Sequence, residues 1–262
     1  MKILKYILGI IILSSFCSDN YSIIKTIPSD ASFITTDNLG NLYLVQNNEV
    51  LKYDNNGSLL KTYSNKISRN INFMDVTNPL QILLFDKDFR QIIFLDNMLS
   101  PINDPIVLDD IEMIQPLLVC TSYENGFWVY DHQNFQIIRF DKNRKKTNQS
   151  GNIYQDSGIH LNPNFMMESG DRVFVNNPDT GIFVFDKYGT YDKLIPLKNL
   201  SSFQIMNQDI IFFKNNHLLK FNIKTFEEQI MEMPFNNAIM GRFEKNRLFL
   251  QDSVSINIYK NN

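Results

Sequence analysis

Asn41-Leu42-Tyr43-Leu44-Val45, a short polar turn, then Glu49-Val50-Leu51-Lys52-Tyr53-Asp54: the fold is decided by how this stretch is read. Two runs rich in β-branched, aromatic and aliphatic residues, joined tightly, read as a β-hairpin. Its second strand ends on an aromatic residue followed by Asp. The same pairing returns along the chain. Gln81 to Phe85 is followed by Gln91 to Asp96, and Phe127 to Tyr130 by Gln136 to Asp141. Arg172 to Val175 is followed by Gly181 to Asp186, Asp209 to Phe213 by His217 to Asn222, and Arg247 to Leu250 by Ser255 to Lys260.

The second-strand ends fall at positions 54, 96, 141, 186, 222 and 260, so the spacings are 42, 45, 45, 36 and 38. A unit of about 40 residues holding four short strands is one blade of a β-propeller. Each unit also has an earlier strand: Phe33 to Thr36, Ile71 to Val76, Pro116 to Ser122, Asn164 to Glu168, Ser202 to Met206 and Ala238 to Phe243. Most have a later one, such as Ser58 to Tyr63 and Thr190 to Pro196. The last unit stops at its third strand, while Tyr21 to Ile27 is a spare strand ahead of the first unit. The expectation is an all-β, six-bladed β-propeller whose N-terminal strand completes the last blade and closes the ring, which removes the open sheet edges. No window carries a sustained helical period, so helix is expected to be almost absent.

The first residues read differently. Lys2 and Lys5 precede an apolar run from Tyr6 to Leu13, then Ser14-Ser15. That is the layout of a signal peptide, and the run falls short of the ~20 residues that span a bilayer. Residues 1–18 are therefore expected to be a signal, and 19–262 a single propeller domain. Ser15 and Cys17 suit the −3 and −1 positions of an ordinary cleavage site; Phe16 and Ser18 suit them less well. Cys17 also stands where a bacterial lipoprotein carries its lipidated cysteine, although Phe16 sits where Gly, Ala or Ser is normal. Loss of Lys2 and Lys5 takes the net charge from −3 to −5.

The chain of 262 residues is 44% hydrophobic and 13% aromatic, enough for a core. Its net charge of −3 disfavours duplex nucleic acid as a partner. Cys17 and Cys120 cannot form a disulfide framework, and Cys120 lies in the apolar run Leu117 to Cys120 as a buried thiol would. The histidines are His132, His160 and His217, which leaves little room for a His-based metal centre.

At Asp37-Asn38-Leu39-Gly40-Asn41-Leu42-Tyr43 the chain resembles the D-x-x-G-N-x-Y blade opening of NHL/YncE/TolB-like six-bladed propellers of bacterial envelopes. Asp54-Asn55-Asn56-Gly57 and Asp186-Lys187-Tyr188-Gly189 are similar to their aromatic-D-x-x-G third-strand exits, where Gly serves a positive φ. Asn78 to Phe89, followed by Leu95-Asp96-Asn97, resembles a group of exported proteins from Gram-negative bacteria. The resemblance implies the fold and an envelope location, in the periplasm or at the outer membrane. It implies no activity.

No nucleophile elbow, zinc-protease motif, P-loop, dinucleotide fingerprint or EF-hand loop is present. No cofactor, metal ligand set or catalytic residue is expected. Binding is expected on the rim made by the turns between second and third strands and by the connections between blades. Lys87, Asp88, Phe89 and Arg90 occupy one such turn, and Asp131, His132 and Phe135 the next. Asp and Asn there answer to turn chemistry. An aromatic does not, unless Phe89 and Phe135 already begin their third strands and fill the core. Tyr154 and His160 lie in the longest connection, Asn148 to Asn162, and long loops carry function or motion. The basic run Lys142, Arg144, Lys145 and Lys146 follows a third strand and belongs to the opposite rim as a solvated face. The leading expectation is a monomeric ring that binds an envelope protein without catalysis. The alternative is a metal-dependent hydrolase or lactonase-like enzyme with an axial site; sugar or peptide capture on the aromatic loops is a third.

Overall fold

The computed structural model describes residues 20–64 and 71–262. The signal segment 1–18, with Cys17, lies outside the described residues.

Each hairpin unit becomes one four-stranded antiparallel sheet, and there are six such sheets. Blade 1 comprises Phe33–Thr36, Leu42–Gln46, Glu49–Tyr53 and Leu59–Ser64. Blade 2 comprises Phe73–Asp75, Ile82–Asp86, Gln91–Leu95 and a two-residue strand, Ile106–Val107. Blade 3 comprises Pro116–Ser122, Gly126–Asp131, Gln136–Phe140 and Lys146–Gln149. Blade 4 comprises Phe165–Ser169, Arg172–Asn177, Gly181–Asp186 and Tyr191–Ile195. Blade 5 comprises Phe203–Met206, Asp209–Lys214, His217–Asn222 and Glu228–Met231. Blade 6 comprises Met240–Glu244, Arg247–Gln251 and Ser255–Asn261, and its fourth strand is the N-terminal Tyr21–Pro28.

Burial explains why the strands read as they do. The middle strands are covered by a neighbouring blade on each face, so Ile82–Asp86 and Gly126–Asp131 are buried throughout. Such strands read as continuous apolar runs rather than alternating ones. The fourth strands are largely exposed, as in Leu59–Ser64 and Glu228–Met231, and carry polar residues. The core is six interfaces rather than one centre. Leu83, Phe85 and Phe94 pack on Phe127, Val129 and Phe140 between blades 2 and 3. Trp128, Tyr130 and Cys120 pack on Val173, Phe183 and Phe185 between blades 3 and 4. Ile27, Ile256 and Ile258 pack on Ile34, Leu42 and Leu44 across the closure.

Aspartates organise the turns. Asp37 Oδ1 accepts from the Leu39 and Asn41 amides, and its Oδ2 from the Asn41 side chain and, at 2.9 Å, the Tyr43 hydroxyl. The D-x-x-G-N-x-Y spacing is thus a set of bonds to one carboxylate. At the third-strand exits Asp54, Asp96, Asp141 and Asp186 each accept from the amides two and four residues on. The residue three positions after each Asp has positive φ: Gly57 at 79°, Leu99 at 60°, Arg144 at 63° and Gly189 at 89°. Arg144 is exposed, so its side chain holds no core contact that would justify the conformation. Arg144→Gly is expected to stabilise the fold by about 0.5–1 kcal/mol, because relief of left-handed strain outweighs the added unfolded-state entropy. Thermal unfolding would show this as a rise of about 1–4 °C, and a fall would contradict it.

Among the described residues helix is confined to one turn, Ile153–Ser157, and two short 3-10 segments. Asn152 caps that turn by accepting from the Gln155 amide, and Gly158 ends it at φ 69°. Five residues are too few to show a period in sequence. The connection between blades 3 and 4 is also shorter than expected, since Asn148 and Gln149 belong to a fourth strand.

Candidate functional site

All the turns between second and third strands lie on one rim of the ring, because every blade runs in the same sense. The turn of blade 2 carries Lys87, Asp88, Phe89 and Arg90. Phe89 is 52% exposed, and its amide donates to Asp86 Oδ1. Arg90 makes a two-pronged ion pair with Asp109, in the 3-10 segment that follows blade 2, Nε to Oδ1 at 2.6 Å. That hydrogen bonding holds the Asp109 carboxyl below the usual carboxylate range.

The turn of blade 3 and the connection to blade 4 meet. Phe135 lies 4.9 Å from His160, 5.7 Å from His132 and 6.0 Å from Tyr154, ring centre to ring centre. His160 is 6.1 Å from Tyr154 and 6.3 Å from His132. The helical turn that presents Tyr154 is tied to the blade 3 turn by the Ile153 amide donating to Phe135 O at 2.8 Å. Asn152 Nδ2 also donates to Asn134 O. Tyr154 and His160 are exposed, whereas Phe135 and His132 are half-buried. Asp131 is buried, and its carboxylate accepts from the Gln133 amide and the Asn134 side chain, so it serves the turn.

Neither Phe89 nor Phe135 opens a third strand; those begin at Gln91 and Gln136. Phe135 instead sits at φ 52°, and Arg90 at 49°. That left-handed turn position ordinarily goes to Gly or Asn. The corresponding hairpins of blades 1 and 5 use Asn48 at 67° and Asn216 at 62°. A bulky residue there costs about 1–2 kcal/mol.

The axis, for which the sequence offers a site but no residues, holds a second feature. A chamber of about 460 Å³ is lined by the first strands of all six blades. Phe33, Phe73, Phe165 and Phe203, each the first residue of its strand, touch in series at 6.3, 5.7 and 5.0 Å. Blades 2 and 4 are not neighbours, so the Phe73–Phe165 contact spans the axis. Buried charged groups line the wall. Asp75 accepts from the amide and hydroxyl of Thr121, at 2.8 Å each, and from those of Thr77. Glu168 accepts from Ser122 Oγ and Trp128 Nε1, at 2.6 Å each, and from the Tyr123 amide. The Thr121 bonds join blade 2 to blade 3, and the Glu168 bonds join blade 3 to blade 4. The signal available in sequence was a lone acid inside an apolar strand, as in Phe73-Met74-Asp75-Val76 and Phe165-Met166-Met167-Glu168.

Among the described residues, no group of three or more His, Cys, Asp or Glu side chains is placed to hold a metal ion. Cys120 is free and buried, and burial pushes its thiol up, away from the reactive thiolate.

No family model and no curated sequence matches the chain. Solved structures do resemble it. Streptogramin B lyase aligns with a TM-score of 0.58 and 12% identity, over 91% of this chain and 98% of that one. A catalytically inactive virginiamycin B lyase from Staphylococcus aureus, with quinupristin, aligns with a TM-score of 0.55 and 13% identity, over 90% and 80%. The WD40 domain of Neurospora crassa Pan2 aligns with a TM-score of 0.55 and 11% identity, over 92% and 95%. At such identities the likeness is one of fold: an all-β propeller, here with six blades.

Proposed function

We propose that this chain is a non-enzymatic protein-binding module of the bacterial cell envelope, docking its partner through the rim that carries His132, Phe135, Tyr154 and His160. The observation that carries the reading is Phe135, a large ring held at positive φ where turn chemistry asks for Asn or Gly. Strain of this kind clusters at functional sites, and Phe135, unlike Arg144, is joined by the rings of His132, Tyr154 and His160. Aromatic side chains supply most of the energy of protein interfaces, and an ordinary interface of ~800 Å² per partner fits one face of such a ring. Phe89 on the next blade extends the same rim.

Support for the location comes from the N-terminal signal pattern and from the resemblance to NHL/YncE/TolB-like envelope propellers. Cleavage within residues 16–18 would leave the closing strand Tyr21–Pro28 whole. The metal-dependent hydrolase fits the axial carboxylates less well: Glu168 and Asp75 Oδ2 accept bonds from blade 3, and Asp75 Oδ1 accepts from Thr77.

The test is affinity capture from crosslinked envelopes. The bait is wild type or a Phe135→Asn/Tyr154→Ser/His160→Ser variant, with Phe89→Ala as a second bait. The triple variant is expected to melt no lower than wild type, since Asn relieves the strain at position 135, and to lose a specific partner by at least about thirtyfold, the loss of one hot spot of about 2 kcal/mol. The same partner recovered equally by both baits would place the interface elsewhere. No partner for either would overturn the reading.

A further inference from the structure

We propose that Arg242 makes the axial chamber a binding site for a small monoanionic organic carboxylate with an apolar body. The inference is independent of the rim interface proposed above.

The contrast between two buried arginines carries it. Arg139 is 3% exposed and fully engaged. Its Nε donates to Ser122 Oγ at 2.9 Å, its Nη1 to Thr147 Oγ1 at 2.9 Å and its Nη2 to Tyr123 O at 2.7 Å. Its guanidinium also lies 3.6 Å above the Tyr123 ring. This is how the fold satisfies a structural arginine. Arg242 is 2% exposed and lines the chamber from the first strand of blade 6. Its Nη2 donates to Ser202 Oγ at 2.7 Å, while its Nε is buried with no partner among the described residues. Among the described residues no carboxylate comes within ion-pairing distance of it: the ion pairs there involve Arg90, Arg172 and Lys220. Burial alone accordingly pulls its guanidinium down to about 10.

An unpaired buried cation is costly, and removing it from a fold without a use for it is often stabilising. A carboxylate seated on the guanidinium fork would supply the missing acceptors in two-pronged geometry. The walls select the rest of the ligand. The Phe33, Phe73, Phe165 and Phe203 rings offer an apolar surface, and about 460 Å³ falls within the range of small-molecule sites. Asp75, Glu168 and Glu244 also line the chamber, so a dianion such as phosphate meets more repulsion than a monoanion. Glu244, on the same strand, has its own carboxyl pushed up by burial, as expected of an acid that Arg242 does not neutralise.

The test is calorimetric titration of the purified protein with acetate, benzoate and 3-phenylpropionate. Neutral 3-phenylpropanol and inorganic phosphate are the controls. Saturable binding of the aromatic acids is expected, at least about tenfold tighter than the alcohol or phosphate. Arg242→Met should abolish it and raise the melting temperature of the free protein by about 3 °C. Should Arg242→Met fail to fold, Arg242→Lys keeps the charge without the fork and is expected to weaken the acids about tenfold. No saturable binding of any of the three acids, or binding unchanged in the folded variant, would overturn the proposal.

Discussion

A chain that begins at Ser29, lacking the strand Tyr21–Pro28, is expected to lose its monomeric fold. That strand pairs with Ser255–Asn261 from Tyr21 opposite Asn261 to Pro28 opposite Ser255. Thr26 Oγ1 donates to Asn257 Oδ1 at 2.7 Å, and the Asn262 amide donates to Asn20 O. Ile27 is buried between Ile256 and Ile258 of blade 6 and Ile34 and Leu42 of blade 1. Removing the strand opens the ring at one interface and exposes the edge of Ser255–Asn261, which then offers unpaired amides and carbonyls to other chains. The loss is estimated at about 5 kcal/mol, comparable with the whole stability of a marginal domain. Size-exclusion chromatography should show oligomers or aggregate, and a peptide of residues 20–30 added in trans should restore monomer. A truncated chain that stays monomeric and melts within about 2 °C of wild type would show that closure matters little.

Glu168→Ala is the second large effect. The carboxylate is buried and takes hydrogen bonds from Trp128 Nε1, Ser122 Oγ and the Tyr123 amide. Truncation leaves three donors without an acceptor in the interface between blades 3 and 4, beside the buried Arg139 cation. The expected cost is about 3–5 kcal/mol. Glu168→Gln keeps an acceptor for Trp128 and should cost about 1–2 kcal/mol. Trp128 is the only tryptophan, so denaturant unfolding followed by its fluorescence reads this interface directly. A Glu168→Ala midpoint equal to that of Glu168→Gln would mean that the bonds contribute little beyond shape.

The candidate rim was half legible in the sequence. His132, Phe135, Tyr154 and His160 could each be singled out by residue type and by a place in a turn or long connection. That they meet could not, because the meeting depends on a five-residue helix with an Asn cap and on a tie between residues 18 apart, Asn152 to Asn134. Phe89 and Arg90 looked like one patch with them by the same criteria. In the fold Arg90 is taken by Asp109, and Phe89 is not among the described rings that meet around Phe135. The positive φ of Phe135 was invisible too, since the Asn that usually marks a left-handed position stands one residue earlier, at Asn134.

What the sequence determined by itself is whatever local chemistry decides. The hairpins, their repeat and the spare strand follow from residues within a few positions of each other, through strand patterning and the reach of an Asp side chain to the next amides. What the tertiary structure decided lies between blades. Asp75 finds Thr121 46 residues on, Glu168 finds Ser122 46 residues back, and Arg242 reaches Ser202 across 40. Whether a buried charge in a strand is a satisfied staple or an unpaired group depends on which side chains the closed ring sets opposite it. Curvature and closure place those side chains, and no local preference encodes them.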